Sequence, residues 1–128
     1  MKTVLTITAI LESGSGLVLI AVPSLLTQIL FDVILETPAA LAVVRIAGAA
    51  LVSLGLACWL ARNQIQSIAA KGLVIAMFLY NTVIALVLAY SAISLGLSGF
   101  GLWPAVLIHL SFGIWCVMSL LNKSVQKK

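Results

Sequence analysis

Polar positions are rare along this chain, and their placement divides it. An apolar run from about Val4 to Val22 is followed by Pro23, whose missing backbone donor and effect on Val22 end a straight helix there. The next segment, Ser24 to Leu35, has a different pattern. Leu25, Leu26, Ile29, Leu30 and Val33 fall on one side of a helix, while Ser24, Thr27, Gln28 and Asp32 fall on another. That spacing predicts a short amphipathic helix lying in a membrane interface, because Gln28 and Asp32 are costly in lipid. Glu36-Thr37-Pro38 breaks the chain again. Three further apolar runs follow, over about 39–61, 71–95 and 103–121, the one over 71–95 extending back towards Ile68. They are separated by the polar turn Arg62 to Ser67 and by the glycine-rich connection Gly96 to Gly101. Pro104 is tolerated in the first turn of the last run.

Each of the four runs approaches or exceeds the ~18–20 residues needed to cross a hydrocarbon core. Composition agrees: the chain is 63% hydrophobic and 8% charged over 128 residues. A water-soluble domain of that size lacks the polar residues to cover its surface. The expected fold is therefore all-α, a transmembrane four-helix bundle forming one integral membrane domain over 1–128. The lipid bilayer is its first partner. Met1-Lys2 before an apolar run resembles a signal peptide, but Glu12 interrupts the run and no small-residue cleavage site precedes Pro23. A retained first span is expected.

The formal charge of +4 changes the picture only through its distribution. With four spans, Lys2, Arg62, Lys71, Lys123, Lys127 and Lys128 share one side. Asp32 and Glu36 lie on the other, with no lysine or arginine. The positive-inside rule then gives N-in, C-in, with both termini cytoplasmic, as in a cell inner membrane protein. Trp103 and Phe100 are expected at the outer interface and Trp59 near the inner one. The scattered basic residues make no basic helix face, and no nucleic-acid partner is expected.

Removing the flanking charges leaves Glu12 in the first span and Arg45 in the second. Asn81 and His109 are the strongest uncharged polar residues of the third and fourth. At ~1.5 Å rise per residue, Glu12 lies ~12 Å and Asn81 ~15 Å from the inner ends of their helices. Arg45 and His109 lie ~21 Å from the inner side of a ~30 Å core. The expectation is a buried polar cluster of Glu12, Arg45, Asn81 and His109, with a Glu12–Arg45 salt bridge spanning the remaining gap. Charges in lipid turn inward and seek partners. Thr8, Ser15, Tyr80 and Cys116 are its expected neighbours. Gly16 beside Glu12 and Gly48 beside Arg45 allow close helix approach. Such a cluster either fixes helix register or forms a ligand site.

No motif points to catalysis. Cys58 and Cys116 form no C-x-x-C pair and read as buried hydrophobes. One histidine makes no zinc site, and the glycines near Gly99 lack a phosphate-loop context. No metal or cofactor is expected, and a non-enzymatic role is favoured. The readings are a binding protein for a small or lipidic ligand, an accessory subunit, a proton-coupled transporter using Glu12, or a quinone-linked redox or other membrane enzyme subunit. In the last, His109 and Arg45 would contact a carbonyl-bearing head group. Four short helices enclose little volume, so a homo-oligomer or a larger membrane complex is also expected.

Arg45-x-x-Gly48 through Leu54-Gly55-Leu56-Ala57-Cys58-Trp59, with Tyr80-Asn81 and Trp103-Pro104-Ala105 before His109, resembles small bacterial four-span proteins. The chain is similar in size and helix count to DoxX-like families, a resemblance that covers most of it and implies no particular activity. Glu12 in Ala9-Ile10-Leu11-Glu12 is also similar to the mid-span carboxylate of small multidrug resistance transporters. That resemblance implies a homodimer exchanging protons for lipophilic cations. The third span here lacks that family's aromatic and glycine pattern, and an Arg45 partner would compete with a cation for Glu12.

Overall fold

The computed structural model describes residues 1–125, with side chains through Asn122. The Lys127 and Lys128 of the basic tail, and the side chain of Lys123, lie outside the described residues. The five helices are α1 (Lys2–Ala21), α2 (Pro23–Phe31), α3 (Pro38–Ala61), α4 (Ile68–Ile93) and α5 (Leu102–Val125). All but α2 are long and apolar enough to cross a membrane. The molecule is an all-helical bundle of the transmembrane type, and the spans fall within a few residues of the hydropathy pattern.

Local chemistry sets the boundaries. Val22, at φ −134°, leaves helical geometry, and Pro23 begins α2 at its first turn. Asp32 ends α2 in the left-handed region at φ 56°, where a short polar side chain is tolerated. The predicted amphipathic segment is thus a separate helix, but it stops at Phe31 rather than Leu35. Thr37 Oγ1 accepts from the Ala40 N–H at 3.2 Å, and Ser67 Oγ accepts from the Ala70 N–H at 3.1 Å. Each satisfies one otherwise unpaired donor of the following helix. At the end of α3 the Arg62 guanidinium lies 3.4 Å from the Trp59 ring centre and bonds the Trp59 carbonyl. A cation there complements the helix dipole. Gly96, at φ 67°, turns the chain after α4.

The spans pack as two tight pairs, α1 with α3 and α4 with α5. Glycine sets the first pairing. A Cβ on Gly16 would come within 2.5 Å of the Gly48 carbonyl oxygen, and one on Gly48 within 2.7 Å of the Gly16 carbonyl oxygen. Such backbone approach is available only without side chains. The two pairs meet at the end of the bundle that carries the N-terminus. There Val4, Leu5 and Ala9 pack with Cys58, Val74, Met77 and Cys116, drawn from all four spans. At the opposite end Leu88, Leu102 and Val106 form a second cluster, with Phe31 of α2 against it. Gly101 N–H donates to the Ile29 carbonyl at 2.9 Å, tying α2 to the α4–α5 connection. Between these two closures the helix pairs pack less closely and leave a cavity.

Candidate functional site

The gap between the pairs is a cavity of about 740 Å³, lined by residues of all five helices. Glu12 enters it from α1, Tyr80 and Asn81 from α4, and His109 from α5. The Tyr80 hydroxyl donates to Glu12 Oε2 at 3.3 Å, bridging the two helix pairs. His109 Nδ1 lies 2.8 Å from Asn81 Oδ1, and Asn81 Nδ2 donates to the Met77 carbonyl at 2.8 Å. With the amide so oriented, Oδ1 can only accept. His109 Nδ1 therefore carries a proton and donates to Asn81 Oδ1. The Tyr80 and His109 rings meet edge to face, 5.9 Å between centroids at 74°. Tyr80 thus joins the two polar pairs, a role the sequence did not single out for it.

Arg45 does not take part. It is exposed, it does not line the cavity, and its Nε donates to the Ile20 carbonyl at 3.2 Å. The expected buried Glu12–Arg45 salt bridge is not formed. The register of α1 and α3 explains why. Gly16 meets Gly48 and Val52, and Gly55 meets Ala9 and Ser13. That antiparallel register sets Arg45 level with Ile20, which is eight residues, or about 12 Å of helix, beyond Glu12. The guanidinium instead caps the last turn of α1, where carbonyls lack intrahelical donors and a cation is favourable.

The expected neighbours divide likewise. Thr8 and Ser15 line the cavity beside Glu12. Cys116 does not; it is fully buried in the core cluster below, in the same cluster as Cys58. Both cysteines are free thiols. Among the lining residues that sequence reasoning missed are several from α2. Leu26, Thr27, Leu30 and Phe31 close one end of the cavity, although the amphipathic pattern assigned Thr27 to the water-facing side. Thr27 Oγ1 bonds the Ser24 carbonyl at 3.1 Å, which lets a threonine face inward at low cost. Phe112 completes the aromatic edge near His109.

Polarity is segregated along the cavity. The hydrogen-bonding groups of Thr8, Glu12, Tyr80, Asn81 and His109 lie towards the core cluster. The α2 end is walled mainly by Leu19, Leu26, Leu30, Phe31 and Leu88; Thr27 is among them with its hydroxyl spent on the Ser24 carbonyl, and Ser15 lies one helical turn beyond Glu12. Leu11, Val87 and Ile108 line the cavity and are also exposed, so its flank is open towards the surroundings of the bundle. No group of three His, Cys, Asp or Glu able to hold a metal occurs among the described residues. Searches of protein-family models, curated proteins and solved structures give no match to this chain.

Proposed function

We propose that the protein is a multi-pass inner-membrane protein, both termini cytoplasmic, that binds a small or lipidic molecule in the cavity between its two helix pairs. One observation carries the reading: an aliphatic cavity of about 740 Å³ holding a cross-helix array of hydrogen-bonding groups at one end. That volume lies within the ~300–1,000 Å³ typical of small-molecule sites, and a few convergent polar groups in apolar walls are their usual composition. The open flank faces the acyl-chain region, which suits a ligand dissolved in the membrane.

The test is native mass spectrometry of protein released in mild detergent. A hydrophobic molecule should accompany the wild type and be lost when the cavity is filled by Ala50→Trp. An empty wild type, or equal retention by the filled variant, defeats the proposal.

A second reading has one specific support. Arg45 points away from Glu12, so no cation neutralises this carboxyl group in the middle of a span. Proton-coupled transport through Glu12 is then open to test. Glu12→Gln should abolish proton-driven uptake by vesicles while leaving the bundle folded; unaltered uptake removes the reading.

A further inference from the structure

We infer that the ligand is an uncharged amphiphile with a hydroxyl or carbonyl group, held polar end first against Thr8, Glu12 and Tyr80, its apolar body under α2. The inference rests on the cavity being a binding site, and it names the chemical class bound there.

Thr8 supplies the independent observation. It is 2% exposed, it lines the cavity, and its Oγ1 is the one buried side-chain polar atom without a hydrogen-bond partner among the described residues. Several other helical hydroxyls are satisfied by the preceding turn: Thr6 by the Lys2 carbonyl, Ser53 by Ala49, Thr82 by Phe78, Ser91 by Val87. Thr8 has the same option at Val4 and does not use it. An orphaned buried hydroxyl is unfavourable unless another group satisfies it. Threonine has two accessible χ1 wells in a helix, so a rotamer change can exchange its methyl and hydroxyl. The hydroxyl is sealed from the cavity as it stands; turned inward by that change, it would find its missing partner in a bound hydroxyl or carbonyl.

The surrounding charges select among head groups. No lysine or arginine lines the cavity to offset a phosphate or carboxylate, and the one carboxyl group there, Glu12, is already engaged by the Tyr80 hydroxyl rather than free to pair with a cation. Thr8, Ser15, Tyr80, Asn81 and His109 are groups that pair with a neutral donor–acceptor, and Glu12 already accepts from Tyr80. The segregation of polarity sets the orientation. A phospholipid entering from the α2 end would bring its head group against leucine and phenylalanine, whereas an amphiphile entering from the flank can place its polar atom deep.

The experiment compares three probes of equal chain length, 1-dodecanol, dodecanoate and dodecyltrimethylammonium, binding to the full chain in lipid nanodiscs, read by thermal unfolding and tryptophan fluorescence. Dodecanol should bind best. Thr8→Val, which keeps the shape and removes the hydroxyl, should weaken dodecanol about tenfold, and Thr8→Ser should restore it. Preferred binding of either charged probe, or equal dodecanol affinity in Thr8→Val, overturns the assignment of class while the cavity remains a site. If none of the three binds and no molecule accompanies the purified protein, the binding role itself falls.

Discussion

Glu12 and Arg45 belong to the two helices that pack most closely, yet each is served by a different group. Tyr80 donates to Glu12 from α4, and Ile20 accepts from Arg45 at the end of α1. Separate partners make a thermodynamic prediction. Glu12→Gln and Arg45→Met should be additive in a double-mutant cycle to within ~0.5 kcal/mol, as for groups that share no contact. Measurement by reversible unfolding in detergent decides this, and a coupling of several kcal/mol would restore the salt bridge. Arg45→Met alone should cost about 1 kcal/mol, the worth of a cation at a helix C-terminus. The arrangement around His109 makes a second prediction at this scale. Asn81 is 2% exposed and bonds both the Met77 carbonyl and the His109 ring. Asn81→Leu leaves the imidazole donor unpaired, at about 1–3 kcal/mol, whereas replacing both residues by apolar ones should recover part of the loss. The same cycle method measures that recovery.

Glycine decides how the elements pair, and only some of the glycines do so. A Cβ on Gly16 would collide with the backbone of α3, while one on Gly14 or Gly72 would meet nothing within 4 Å. Gly16→Ala should therefore force α1 and α3 apart and destabilise the bundle by about 1–3 kcal/mol. Gly14→Ala and Gly72→Ala should be neutral or stabilising by about 0.5–1 kcal/mol through the lower entropy of the unfolded chain. Thermal unfolding of the three variants separates these outcomes. This contrast also marks what the sequence could disclose. Hydropathy located the spans because lipid demands continuous apolar length, and Gly16 and Gly48 were recognisable as sites of close approach. The sliding register between them was not recognisable, since nothing in either helix alone fixes an offset. Helix rise from the span ends sets Arg45 and Glu12 about 9 Å apart along the bundle normal, a gap within reach of long side chains, but the register of α1 on α3 leaves it open. Asn81 and His109 fell in one zone because α4 and α5 place them at matching depth. Thr27 departs from the amphipathic pattern for another reason: its hydroxyl is satisfied by the Ser24 carbonyl within α2, so its polarity does not fix the side it faces.

At the scale of the whole molecule, two helix pairs are held together at their ends and by the Tyr80–Glu12 hydrogen bond, and enclose the cavity between them. Charge asymmetry predicts which end faces which compartment. In intact bacterial cells, a cysteine at Ser98 should react with a membrane-impermeant maleimide, and one at Asn63 only after permeabilisation, with Cys58 and Cys116 replaced by alanine. The reverse pattern would invert the topology. The fastening of α2 carries the last prediction. Its helix crosses from one pair to the other, its side chains close the cavity, and Gly99 and Gly101 pack directly on its Ile29–Leu30 backbone. Any side chain at Gly99 would strike the Leu30 main chain, which cannot yield as a flexible side chain would. Gly99→Val should thus lift α2 from the α4–α5 connection without disturbing the α1–α3 pair or the core cluster. Helix content by circular dichroism should remain near wild type, while the cavity, open at its α2 end, should lose whatever molecule accompanies the native protein. Retention of that molecule with α2 displaced would mean that the cavity walls alone hold it, and that α2 serves the fold rather than the site.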